Sequence, residues 1–182
     1  MTNPNLTTRT TTFALCVSLL AAAAWAGPAP RTTADMKVGQ MVEIEGRALG
    51  AQMVLADEVE VQRFAGPAKF EGAIQAVDAD AKTVTVLGIE VRVSPETRLE
   101  LDDGNLFEFS EFKTRQVIEV QGTLEDNGAF AASEIEFVDE IDVRPQHASL
   151  ESPIQEVDGD ANTMVVLGVK VKLTPTTEIE AQ

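Results

Sequence analysis

Residues 77–91 read VDADAKTVTVLGIEV, and residues 157–171 read VDGDANTMVVLGVKV. The second stretch repeats the first eighty positions later, and both are β-branched runs led by an Asp-rich turn. A run of Val, Ile and Thr bounded by Asp, Gly and Pro reads as strand, not helix. The repeat extends outward. Phe70–Leu101 aligns with Leu150–Ala181 without a gap, and roughly half of the positions are identical; this is unit A. A second unit, B, also recurs: Met36–Val61 aligns without a gap with Phe112–Phe137, matching at Lys37/Lys113, Gln40/Gln116, Glu43/Glu119, Gly46/Gly122, Ala56/Ala132, Glu58/Glu134 and Glu60/Glu136. After the N-terminal segment the order is B, A, B, A.

Both units alternate apolar and polar residues with period two. Val42 and Ile44 alternate with Glu43 and Glu45, and Val59 and Val61 with Glu58 and Glu60. Ile118, Val120, Ile135 and Phe137 repeat this in the second copy. Such a pattern puts apolar side chains on one face and carboxylates on the other. Gly46, with Asp126-Asn127-Gly128 in the second copy, reads as hairpin chemistry between two runs. In unit A, Asp78–Lys82 turns and Thr83–Val93 reads as one long strand stopped at Ser94-Pro95. Gly88 and Gly168 stand mid-strand and predict a bulge or bend. Asn105–Lys113, with Leu106, Phe107, Phe109 and Phe112, predicts an apolar plug.

One A followed by one B gives two hairpins and a bridging strand near Thr97–Leu101. The expected fold class is therefore all-β, built of small OB-like Greek-key barrels. Residues 68–140 would form one central complete barrel. Residues 36–64 (first B) and 150–182 (second A) are left as half-units, and two or three strands are marginal alone. They are expected to complete each other as a second barrel. Closure within the chain is favoured by high local concentration; a swapped dimer or an open filament is the other way to satisfy the edges, and the competing expectation is that the ends extend the central sheet or stay loose.

The residues Gly72, Ile74, Val77, Asp78, Thr83, Val86, Leu87, Gly88 and Thr97, continued by Val120, Gly122, Leu124, Gly128, Ala132, Ile135 and Glu136, resemble the bacterial secreted family DUF5666. The resemblance covers the central unit well and the flanking half-units in part. It implies an exported β-barrel-like domain and carries no catalytic residue. The chain departs from the family pattern in parity, since the first B has no A before it and the last A no B after it.

Composition limits the partners. Arg9, the apolar run Phe13–Ala24 and Ala24-Trp25-Ala26 read as a signal peptide over residues 1–26. The run is too short to span a bilayer as a helix. Cleavage would remove the only Cys and the only Trp, and the chain has no Tyr. The mature chain would thus have no disulfide and no thiol chemistry. The formal charge of −16 becomes −17 on loss of Arg9. That balance argues against nucleic acid and anionic membranes, and for solubility, cations or basic partners, with a solvated acidic coat on an exported protein as the plainer reading.

Little in the chain carries chemistry. Asp78-x-Asp80 recurs as Asp158-x-Asp160-x-Asn162, spaced like the first half of a Ca²⁺ loop. Thr163 then stands at the Gly position and Val169 where a bidentate Glu belongs, so hairpin-turn chemistry competes with weak metal binding at these five residues. His147, the only histidine, lies in a linker-like stretch and reads as solvated. No nucleophile elbow, zinc set or phosphate loop is present. The expectation is an exported (periplasmic or secreted), non-enzymatic binding or assembly module of the cell envelope, without a required cofactor. Its partner would be an unknown protein or envelope component, or a second copy through the half-units. The alternative is a weak Ca²⁺- or oligosaccharide-binding envelope protein, with sugar disfavoured by the missing Trp and Tyr.

Overall fold

A computed structural model describes residues 32–63, 66–101, 103–138 and 146–181; the signal-like segment 1–26 lies outside them. Apart from two 3-10 turns (Thr33–Asp35 and Phe109–Glu111), all the regular structure described is strand, as expected. Twelve strands run β1 (Met41–Ala48), β2 (Met53–Gln62), β3 (Ala68–Asp78), β4 (Thr83–Val86), β5 (Ile89–Arg92), β6 (Arg98–Leu101), β7 (Val117–Leu124), β8 (Phe130–Phe137), β9 (His147–Asp158), β10 (Thr163–Val166), β11 (Val169–Lys172) and β12 (Glu178–Ala181). They join in one mixed sheet.

The pairings form two closed circuits. β3 pairs β4, β4 pairs β5, β5 pairs β8 in parallel, β8 pairs β7, and β7 returns to β3. In the same way β9 pairs β10, β10 pairs β11, β11 pairs β2 in parallel, β2 pairs β1, and β1 returns to β9. Each circuit carries one extra parallel strand, β6 on β8 and β12 on β2. The first B therefore pairs with the last A within this chain. The two circuits are joined by β3 and β9, which run antiparallel with Phe70 opposite Leu150. Those two residues are equivalents in the repeat, so the seam lies on a local two-fold axis.

Inward positions fill one contiguous core. Around the inner circuit, that of β3, β4, β5, β7 and β8, Phe70 meets Phe130 edge-to-face at 4.9 Å; the equivalent residues of the outer circuit, that of β1, β2, β9, β10 and β11, are Leu150 and Val54, and Met164 there replaces Val84. Large and small residues are exchanged while the core stays filled, as dense packing demands. Each circuit is also clamped by a threonine: Thr97 Oγ1 donates to the Ala132 carbonyl, and Thr177 Oγ1 to the Ala56 carbonyl, both at 2.8 Å.

Three local readings need correction. Thr83–Val93 is not one strand. Leu87 (φ 51°) and Gly88 (φ 75°) form a two-residue hairpin turn, and Leu167 (φ 54°) and Gly168 (φ 74°) another. A leucine rarely adopts this left-handed region. Here Leu87 is buried beside Gly72, where a Cβ would come 3.1 Å from its Cγ. Gly46 and Gly122 do not turn either; they lie inside β1 and β7 at register shifts, and the hairpin loops follow at 49–52 and 125–129. In the apolar plug, Phe107 and Phe112 are buried against Phe137, but Leu106 points out at 72% exposure.

The two bulge glycines have no room for a side chain. A Cβ on Gly46 would collide with the Leu55 carbonyl oxygen, and one on Gly122 with that of Ala131. Gly46→Ala and Gly122→Ala should each destabilise by about 2 kcal/mol or more, because backbone must move to relieve the overlap. Thermal melts by circular dichroism check this; an unchanged melting temperature for either variant contradicts it.

Candidate functional site

The period-two pattern has a consequence once the strands are in register. Each residue on the outward face of one strand stands directly opposite an outward residue of the next. Across β12, β2, β1, β9, β3, β7, β8 and β6, one row reads Glu180, Glu60, Glu43, Glu151, Lys69, Gln121, Glu134, Arg98. The adjoining row, two residues along each strand, reads Glu178, Glu58, Glu45, Ser149, Glu71, Glu119, Glu136, Glu100. Twelve of these sixteen positions are glutamates, and only Lys69 and Arg98 are basic. With strands about 4.8 Å apart the band measures roughly 34 Å across.

Some of this charge is met locally. Lys69 Nζ lies 2.8 Å from Glu119 Oε2. Arg98 reaches Glu100 at 2.6 Å and Glu134 at 3.8 Å. Gln62 Nε2 donates to Glu43 Oε2 at 2.6 Å. His147 is not a loop residue: it opens β9, with Nε2 3.2 Å from Glu45 Oε2 and 3.6 Å from Glu71 Oε1. It thus stands between the two circuits at the seam. The alternation of Glu43, Glu45 and Glu119 was visible in the sequence; the alignment of both copies into continuous rows needed the β3–β9 register.

The band's electrostatics follow from partial burial. Burial raises the Glu45 and Glu71 carboxyls above their ordinary range, with His147 opposing and neighbouring glutamates adding to the rise. Glu151 is raised by burial and then by Glu43. Lys69 is raised chiefly by its hydrogen bond to Glu119. The band is therefore an acceptor surface whose middle carboxylates are held at a cost.

The five Asp and Asn positions singled out in the sequence do not gather. Asp78 Oδ1 accepts the backbone amides of Asp80 (3.0 Å) and Ala81 (2.9 Å). Asp158 Oδ1 accepts those of Asp160 (3.1 Å) and Ala161 (2.9 Å). Asn162 Oδ1 accepts from Thr33 Oγ1 at 3.3 Å. The two turns follow the C-terminal ends of β3 and β9, which run antiparallel, so they face opposite ends of the seam ladder. Among the described residues no group of three or more His, Cys, Asp or Glu side chains is placed to hold a metal ion.

The family model described as a domain of unknown function (DUF5666) matches residues 71–136 and 151–182. The chain belongs to the DUF5666 family. The first DUF5666 match runs from within β3 to within β8, and the second from within β9 through β12. The β1–β2 hairpin that completes the outer circuit lies outside both matches. No curated protein and no solved structure matches the chain. No described helix is long and apolar enough to cross a membrane.

Two outcomes are expected. A carboxyl whose folded pKa is raised favours the folded state below its unfolded pKa, and that contribution is lost as pH rises through the raised value. Glu71→Gln should therefore raise the melting temperature at pH 7.5 by about 1–3 °C, and the gain should vanish near pH 3.5, where both states are protonated. Melts across that range check it; destabilisation at pH 7.5 would mean the His147 contact outweighs burial. Separately, Asp158→Ala should cost about 1 kcal/mol through its two lost amide bonds, whereas Asp160→Ala should cost little, with or without millimolar Ca²⁺. A Ca²⁺-dependent loss in both variants would make the turn a cation site.

Proposed function

We propose that this chain is an exported, non-enzymatic binding module of the cell envelope, whose two circuits are OB-like Greek-key barrels and whose carboxylate band takes a basic partner. The strand order supports the barrel reading. Taking unit A before unit B, each circuit runs first, second, third, fifth, fourth and back to first, with the third and fifth parallel. That is the connectivity of a five-stranded OB-type barrel. The central barrel would span residues 68–140, and residues 36–64 and 150–182 would form the other. Periplasmic or extracellular location rests on the signal-like N-terminus.

One observation carries the binding reading. Glutamates stand directly opposite one another at Glu43/Glu60, Glu45/Glu58, Glu43/Glu151, Glu71/Glu119 and Glu119/Glu136. Like charges directly opposed across strands are destabilising. A solvated coat needs charge but does not need it aligned in facing rows. Such a local conflict with stability is characteristic of a functional surface. A basic protein segment would relieve the repulsion and release its own counter-charge, with the negative field speeding encounter.

The test is calorimetric titration of the mature chain with a blocked ten-residue lysine peptide. Binding is expected at about 20 mM salt and should weaken steeply by 150 mM. Replacing Glu43, Glu45 and Glu151 together by Gln should lower affinity about tenfold while raising thermal stability. Higher stability with unchanged affinity would sink the proposal. Binding of millimolar Ca²⁺ by the same band, without the peptide, would favour the cation reading instead.

A further inference from the structure

The repeat makes one junction a template for another. The first B hairpin, whose loop ends at Gln52, belongs to the outer circuit, but it docks on the inner circuit's turn. Gln52 donates its backbone N–H to the Leu87 carbonyl at 3.0 Å and its side-chain Nε2 to the Gly88 carbonyl at 3.3 Å. A Cβ on Gly88 would come 2.5 Å from the Gln52 side chain, so this junction is closed.

The equivalent junction is open. Gly128 stands where Gln52 does, and Leu167-Gly168 where Leu87-Gly88 do. Gly128 has no side chain to offer, and nothing lies within 4 Å of a Cβ placed on Gly168. The Leu167 and Gly168 carbonyls meet no protein donor among the described residues. What remains is a groove of about 450 Å³ across the seam, walled by Gln52, Gln155, Glu125 and Asp126 over Ile89, Leu124 and Leu167. The size is that of a small-ligand cleft.

The chemistry of the groove is that of an acceptor. The two carbonyls lack the protein donors that their closed counterparts have, and Gly168 is exposed to solvent. Glu125 is already paired with Arg92 at 2.8 Å. Asp126 has no charged partner among the described residues, and its equivalent in the closed junction is the neutral Gly50. Ile89, Leu124 and Leu167 suit an aliphatic stem. We propose that this groove binds an arginine-bearing peptide segment, with N–H groups on the Leu167 and Gly168 carbonyls and the guanidinium at Asp126. Planar, multiply donating guanidinium fits an acceptor set better than a compact ammonium. The groove is distinct from the carboxylate band, and this proposal does not rest on it.

The test is an NMR titration of the ¹⁵N-labelled mature chain with N-acetyl-arginine amide. A ligand of that size supports a Kd of about 1 mM. Amide shifts are expected at Asp126, Gly128, Leu167 and Gly168. Asp126→Asn, an exposed change that touches no contact of the fold, should weaken binding about threefold. The neutral isostere N-acetyl-citrulline amide should bind more weakly by a similar factor. Shifts confined to the glutamate rows would overturn the groove and leave the band standing. No saturable shifts at all, an indifferent Asp126→Asn, or equal binding of citrulline would also overturn it.

Discussion

The first hairpin has nowhere else to go. β1 and β2 expose two ladder edges, and a two-stranded ribbon does not hold itself in water. In this chain β9 takes the open edge of β1, while β11 and β12 share that of β2. Everything else follows from that obligation. It brings the last A unit back across the molecule, lays β9 beside β3, and places Phe70 opposite Leu150. The core is then continuous across both circuits, so apolar burial in one is not independent of the other.

The seam also decides what the surface is. Each B unit alone would carry a short acidic stripe of little consequence. Antiparallel pairing of β3 with β9 sets the stripes of both copies end to end, and the eight strands then present two facing rows of glutamate. Lys69 and Ser149 are repeat equivalents at the centre of those rows. The local two-fold is therefore kept in the backbone and broken in the side chains. Symmetry is broken again at the hairpin tips, where Gln52 fills one junction and Gly128 leaves the other open. Duplication supplied the frame, and the differences between copies are where specificity can reside.

Much of the frame was legible in residues. Period-two alternation identified strands and assigned Val42, Ile44, Val120 and Ile135 inward, and they are fully buried. What misled was local conformation that sequence pattern does not encode. Leu87 adopts a left-handed backbone because its side chain is buried beside Gly72, a tertiary reason that propensity misses. Gly46 looked like a turn because glycine usually is one; it sits at a bulge where the Leu55 carbonyl leaves no room for a Cβ. His147 looked solvated because its flanks resemble a linker, yet it belongs to the strand beside Glu45 and Glu71. Asp78 and Asp158 cap their turns, as one of the two readings of their spacing required; a side-chain oxygen that caps a turn and one that binds an ion need the same short spacing. The groove had no signal at all until the two copies could be compared in space.

The order of the units has a temporal meaning as well. The inner circuit is contiguous in the chain, from β3 to β8; three of its pairings are hairpins, and its longest closure joins Ala68 to Gly122. The outer circuit joins Met41 to Pro153 and Val61 to Ala181, across the whole of the inner one. Loop closure of that length is slow unless something shortens it. A folded inner circuit does so, because its entry strand β3 is the very strand that β9 must find. A chain emerging from its N-terminus would then assemble from the middle outward, its first hairpin waiting until its last strand arrives.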